Sequence, residues 1–300
     1  MFKLAEQVAH SPRICSSRDW LLTGGIAAMA VAVGFDAWRD IFRIASRDEE
    51  LSYVLLAPLV IGSLAWSRRA KVWDCPIVHN WVGVLLIALG WAVFWYGYHF
   101  DPVIWRAGAV ILVGAAVVAG IGSRVAWQMS PALVAMVFLI PIDPDGRYHI
   151  AGPLEVFTAR AAQSVCDLVG MYVQRDGNLI LINNTAVTVA EACNGARMVF
   201  ALFMVCYYVA FATPARWYVR AVLLVASPLV AIVANVIRLV PTIWVFGRFS
   251  LQTAERFHSA AGYVMLVLAF LLLMAIFKPL QKLTQNFDFD KPLLSGKVPA

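Results

Sequence analysis

Charge is scarce in these 300 residues: Asp, Glu, Lys and Arg make up 14%, against about a quarter in soluble domains. With 61% hydrophobic residues and a mean hydropathy of +0.75, a water-soluble globule is excluded. Cysteine is sparse too. The five cysteines form no Cys-x-x-Cys motif and no spacing that would hold a metal, so neither a metal nor another cofactor is expected. Internal repeats are lacking, as is any linker that would separate two domains. This leaves one membrane domain, residues 1–282, followed by a polar tail, 283–300. Acidic residues are outnumbered, 18 against 24 basic ones. In a soluble protein the net charge of +6 would point to nucleic acid, but here it belongs to the loops between apolar segments, and no nucleic-acid partner is expected.

What the chain does have is long apolar runs. Charges interrupt it at intervals of roughly 20 residues, the length at which about 1.5 Å per residue crosses a hydrocarbon core about 30 Å thick. Runs near 20–35, 51–66, 81–98, 103–122, 125–142, 193–212, 217–240 and 259–277 predict eight transmembrane helices in an all-α polytopic integral membrane protein. The second run is short and carries Pro58. The first follows Lys3, Arg13 and Arg18 and superficially resembles a signal peptide, yet so long a leading region favours an uncleaved helix. Loops on one side of this arrangement hold 13 Lys/Arg and those on the other hold eight, so both termini are expected in the cytoplasm. The one long connection, about 143–192, then lies outside. Within it 153–172 reads as a short amphipathic helix. Asn178-Leu-Ile-Leu-Ile, Asn183-Asn184-Thr185 and Ala186-Val-Thr-Val-Ala read as a small hairpin that delivers Glu191 and Cys193 to the membrane surface.

Several polar residues lie at that outer level. Cys193 opens the sixth run, where unpaired N–H groups and the positive end of the helix dipole lower a thiol's pKa. Gly195 follows, and Arg197 at i+4 adds a cation on the same face. The bland alternative is an outer disulfide between Cys166 and Cys193. Arg238 is 18 residues beyond Arg220, about 27 Å along a helix, and either snorkels to the interface or is functional, with Asn235 one turn deeper as its hydrogen-bond partner. His258 is 20 residues before Lys278, and Cys193 is 23 before Arg216, again close to one core thickness. Thiol, guanidinium and imidazole therefore share one depth, and a soft nucleophile, a fixed cation and a proton carrier are what covalent catalysis requires. Depth alone says nothing of lateral contact, although short connections favour adjacency.

These residues also carry a family resemblance. Val189-Ala-Glu-Ala-Cys193-Asn-Gly-Ala-Arg197, then Ala234-Asn235-Val-Ile-Arg238, then Phe257-His258 with Gly262 resemble the exosortase/archaeosortase family, in its bacterial exosortase branch. Leu51-Ser-Tyr…Pro58 and Phe138-Leu-Ile-Pro141 extend the resemblance over most of the chain. Two departures stand out: Asn194 replaces the usual Ser after the Cys, and a His of the early motif is replaced around Ser52-Tyr53.

The resemblance implies a sortase-like membrane cysteine transpeptidase or protease with Cys193, Arg238 and His258 as the catalytic set. Its substrates would be exported proteins with a C-terminal sorting signal: a Pro-Glu-Pro-type (PEP-CTERM-like) motif, one transmembrane helix and a basic tail. The enzyme would sit in the bacterial inner membrane with its site at the periplasmic face. Cys193 would form a thioester that water, an amine, or a lipid or polysaccharide component resolves. Arg238 and His258 would stabilise charge and move protons, in roles that could be exchanged. Glu191, Asn194, Arg197 and Asn235 are supporting or substrate-binding candidates. Two other readings compete: a transporter or flippase of lipid-linked anionic intermediates that uses the arginines, and a thiol oxidoreductase that pairs Cys166 with Cys193.

Overall fold

The computed structural model describes residues 17–69, 81–183, 185–188 and 195–286. The helices are, in order, α1 (Ser17–Val33), α2 (Phe35–Arg47), a 3-10 helix (Glu49–Leu56) running into α3 (Ala57–Ser67), α4 (Trp81–Phe100), α5 (Pro102–Gln128), α6 (Ser130–Ala135) with a 3-10 turn (Met136–Leu139), and α7 (Pro144–Leu168). Three short strands follow, β1 (Gln174–Asp176), β2 (Leu179–Ile182) and β3 (Thr185–Thr188), and then α8 (Gly195–Ala212), α9 (Trp217–Phe246) and α10 (Leu251–Asn286).

Five helices among the described residues are long and apolar enough to cross a membrane: Glu50–Ser67, α4, α5, α9 and Leu251–Lys282. A sixth span results if α1 and α2, bent by 75° across Gly34, count as one. The fifth and sixth apolar runs come out shorter, as Ser130–Leu139 and Met198–Ala212. Ten helical residues reach about 15 Å, half the hydrocarbon thickness, so Ser130–Leu139 does not cross by itself. The chain is thus an all-α, multi-pass membrane protein with five or six helices of spanning length among the described residues, where the spacing of charges predicts eight. Only 17% of the apolar window of α4 is buried, so its large side chains face lipid rather than a protein core. Indoles stand at helix ends, Trp66, Trp81, Trp127 and Trp217, where amphipathic rings favour the membrane–water boundary.

The chain divides into two compact units, Met1–His149 and Ile150–Ala300. In the first, α5 is the central element. Gly83, Gly90 and Gly97 of α4 are all buried and recur every seven residues, which lines them up on one helical face. That glycine face lets the two backbones approach: a Cβ at Gly83 would fall 2.6 Å from the Ala119 Cα, and one at Gly97 would overlap the Trp105 backbone. On another side of α5, Ala30 of α1 packs with Leu112 and Ala116. Asp101 caps α5 by accepting from the Val103 and Ile104 amides at 2.7 and 3.0 Å, with Pro102 in the first turn where its missing N–H costs nothing. The break expected between residues 122 and 125 is not a loop. α5 continues through Arg124 to Gln128, and the interruption is a kink at Gly122, whose φ of 76° and ψ of 160° suit glycine alone.

In the second unit, α8, α9 and α10 pack on one another in all three pairings. Met198, Leu202, Cys206 and Ala210 of α8 meet Leu223, Ala231 and Ala234 of α9 and Ala269, Leu273 and Phe277 of α10. α9 passes through Pro228, and the carbonyl of Leu224 that the missing amide would have bonded accepts instead from the Ser227 hydroxyl at 3.0 Å. The segment before α8 forms a three-stranded antiparallel sheet in the order β1-β2-β3, with Ile180 opposite Arg175 on one side and Val187 on the other. β2 and β3 lie where the sequence places a hairpin, and β1 extends it. Ile180 and Ile182 point inward, in the period-2 pattern of a half-buried strand, against Ala159, Ala162 and Cys166 of α7 and Leu239 and Ile243 of α9. α7 is longer than the expected 153–172 helix, starting at Pro144 and carrying Pro153 in its interior.

Candidate active site

Arg238 sits in the second half of α9, and it does not snorkel. Its side chain is buried, with 7% of the residue exposed, and its Nη2 donates to Asn235 Oδ1 at 3.0 Å. The i, i+3 spacing places the two on one helical face, so the expected partnership is present. Thr242, one turn on, donates its hydroxyl to the Arg238 carbonyl at 2.9 Å, and both Asn235 and Thr242 are themselves buried. Among the described residues two features leave this guanidinium without electrostatic compensation. Its buried Nε has no acceptor among the described residues, and no carboxylate there forms an ion pair with it. A buried cation without a counter-charge is costly, and such a site favours whatever anion reaches it.

Gly262 on α10 makes room for Arg238. A Cβ at Gly262 would sit 2.8 Å from Arg238 Nη1, closer than carbon and nitrogen tolerate. Gly262 belongs to the third sequence motif, where its spacing is legible although its task is not. Gly262 lies at i+4 from His258, on the same face and about 6 Å further along the axis. The guanidinium therefore lies within about one turn of the His258 level. His258 is half-buried, and its Nδ1 is shielded from solvent.

Glu191, Cys193 and Asn194 lie outside the described residues. Arg197 is in the first turn of α8, Gly195–Ala212, with its backbone alone described. In the sequence Cys193 precedes that helix by two residues. The structure thus brings Asn235, Arg238 and Gly262 together through α9 and α10, with His258 one turn before Gly262 on α10, and packs against both helices the one that begins just after Cys193.

Cys166, the other half of the disulfide alternative, is a free thiol buried between α7, the sheet and α9. Burial raises its pKa above the ordinary 9.0, and Asp167 adds to the shift. A buried thiol held protonated is inert. No group of three or more His, Cys, Asp or Glu side chains suited to a metal occurs among the described residues.

A second buried cation, Arg106 of α5, escaped the sequence reading because its partners are remote in the chain. Its Nε pairs with Asp40 of α2 and its Nη1 with Asp143, each at 3.0 Å. It is fully compensated by these two carboxylates, and it fastens α2 and the segment at Asp143 onto α5.

No curated protein and no solved structure matches the chain. The model of the transmembrane exosortase family matches residues 38–275, a stretch that contains every polar residue of the site described above, and the chain belongs to that family.

Proposed function

We propose that this chain is a membrane cysteine transpeptidase or protease that cleaves a PEP-CTERM-like C-terminal sorting signal from exported proteins through a thioester on Cys193. Family membership points to a membrane peptidase or transpeptidase role acting on membrane-bound protein substrates. The observation that supports the finer reading is the guanidinium of Arg238, which has no carboxylate partner among the described residues, is held by Asn235 and is seated over Gly262 within a turn of His258. Such a preorganised donor is suited to charge that develops during reaction rather than to a resident counter-ion.

In this mechanism the Cys193 thiolate adds to the carbonyl carbon of the scissile peptide bond. Arg238 stabilises the oxyanion of the tetrahedral intermediate, or the thiolate before it. Collapse breaks the C–N bond, and His258 as imidazolium gives its proton to the departing amine of the transmembrane segment. The acyl group remains as a thioester. Water or an acceptor amine, deprotonated by the now neutral His258, attacks it and regenerates the thiol. Glu191, Asn194 and Arg197 flank the nucleophile in sequence as supporting or substrate-binding groups. The enzyme works in the bacterial inner membrane, with both termini cytoplasmic and its site at the periplasmic face.

Mass spectrometry of protein C-termini tests the proposal, comparing cells that carry the native chain with cells that carry Cys193→Ala at equal expression. A set of exported proteins should keep its C-terminal hydrophobic helix only in the mutant. If every C-terminus is the same in both, Cys193 is no processing nucleophile, and a transporter or flippase that uses Arg238 as an anion site takes its place.

A further inference from the structure

The far end of α9 carries a cleft of about 460 Å³ that the catalytic reading does not use. Tyr172, Gln174, Ile182, Asn183, Trp244 and Arg248 form much of its wall. The cleft lies where the turn before β1, the end of β2 and the end of α9 meet, and side-chain contacts hold these parts together. Asn183 donates to the Gly247 carbonyl at 3.0 Å, tying the end of β2 to the end of α9, and Ile182 fits against Gly247 so closely that a Cβ there would lie 2.9 Å from it. The Arg248 guanidinium lies over the Trp244 ring, 5.1 Å from its centroid, and Gln174 donates to the Tyr172 hydroxyl at 3.3 Å. Among the described residues Arg248 is the one charged residue of the lining, and it is exposed and has no carboxylate partner there.

We propose that this cleft takes the extended, acid-bearing segment of the substrate chain next to the cleaved bond, with Arg248 pairing its carboxylate and Trp244 and Tyr172 lying against its apolar flanks. The inference rests on the processing reading above. Its chemistry follows from the lining. A single cation on an indole, with a second ring and neutral amides around it, selects one negative charge set among apolar groups rather than a polyanion. Among the described residues β1, which contributes Gln174, is an edge strand of the sheet, the position at which an extended chain adds. Reach agrees as well. Trp244 follows Arg238 by six residues, about 9 Å along α9 and about a third of a turn around it, and Arg248 stands two residues past the helix end at Phe246, which is itself about 12 Å beyond Arg238. A surface path of about 17 Å is covered by about five residues of extended peptide. A carboxylate that close to the scissile bond engages Arg248 while the carbonyl is held at Arg238.

The test uses the full-length protein in lipid nanodiscs and a reporter that ends in a Pro-Glu-Pro segment, one transmembrane helix and a basic tail, made with Glu, Gln or Lys at the acidic position. Arg248→Glu should lower kcat/KM for the Glu reporter about tenfold or more, mainly through KM, and should restore cleavage of the Lys reporter that the native enzyme handles poorly. Arg248→Lys should retain part of the preference for Glu over Gln. Equal losses for all three reporters would mean that Arg248 only anchors the helix end among lipid headgroups, and would overturn the proposal, as would no loss at all. Cys193→Ala, run in parallel, reports on the underlying reading. If the native chain and Cys193→Ala leave the Glu reporter equally intact, the processing reading fails and this proposal falls with it.

Discussion

A guanidinium kept out of water is held by few contacts, and each one is exposed to a single substitution. Arg238→Lys keeps the charge but loses the planar fork that reaches Asn235 and the site together. Processing should fall at least tenfold while thermal stability changes little. Retention of full activity would show that a point charge suffices. Gly262→Ala places a methyl against the far end of the Arg238 side chain, which can swing aside, so the cost to stability should be small, about 1 kcal/mol or less. Catalysis should suffer more than folding, because the shift displaces the charge from its working position. Measuring kcat beside the melting temperature of the same preparation separates the two effects, and an unchanged kcat would count against Arg238 acting on the reacting atoms. At Cys166 the same reasoning gives a pH dependence. Its folded pKa lies above the ordinary 9.0, so whatever its burial contributes to stability is complete below that pH and is lost as pH rises through the higher folded value. Alkylation of Cys166 in the folded protein, followed by peptide mass spectrometry, should stay slow at pH 8 to 9 and accelerate on unfolding. Rapid labelling at neutral pH would contradict the buried thiol and revive its redox use.

Between residues and molecule stand the helix pairs, and two of them rest on very different physics. The α4–α5 seam depends on glycines that add nothing themselves and permit the packing of their neighbours. Gly97→Val has no space against Trp105 and should separate the pair, at a cost of about 2 kcal/mol or more, with loss of the folded fraction in detergent. A stable Gly97→Val protein would show that the helices do not approach so closely. Arg106 instead holds α2 and α5 by charge. Its side chain is 8% exposed, against 25% for Asp40 and 36% for Asp143, so removing it leaves carboxylates that water screens only in part. Arg106→Ala should destabilise by about 3 kcal/mol at most, discounted for the exposure of Asp143, and Asp40→Asn should cost less. Urea or thermal titration of the purified variants decides it, and equal stability of all three would demote the cluster to ornament.

For the whole molecule, the proposed topology puts both termini in the cytoplasm and the 143–192 connection in the periplasm. Reporter fusions should be active on the cytoplasmic side when placed after Ala300, and single cysteines introduced near Gly177 should react with an impermeant maleimide in intact spheroplasts. A reversed pattern would put the thiol in a reducing compartment, on the wrong side for exported substrates. With five or six helices of spanning length among the described residues, an even number is required for both termini to share a side. The topology experiment therefore also decides whether Ser130–Leu139 and Met198–Ala212 count as crossings.

Composition by itself determined that the chain lives in a membrane, because so few charges over so many apolar residues leave no soluble core that could hide them. Helix positions were legible for the same reason: a segment that must satisfy its backbone internally while facing lipid shows its length in the spacing of its charges. The hairpin could be read from alternation and turn residues, and the Asn235–Arg238 hydrogen bond from a spacing of three. Local signals misled where they ended. Arg124 reads as a loop, yet the helix carries it through, and the real interruption is one glycine away at Gly122. Only the tertiary structure decided that Arg238 is buried rather than snorkelling, that Gly262 is what lets it be so, that Arg106 meets carboxylates 66 and 37 positions away, and that the end of α9 closes a cleft with the sheet. Each of these depends on how separate elements meet. A sequence records depth along each helix through its period, but the rotation of one helix against its neighbour is set by packing, and no local pattern encodes it.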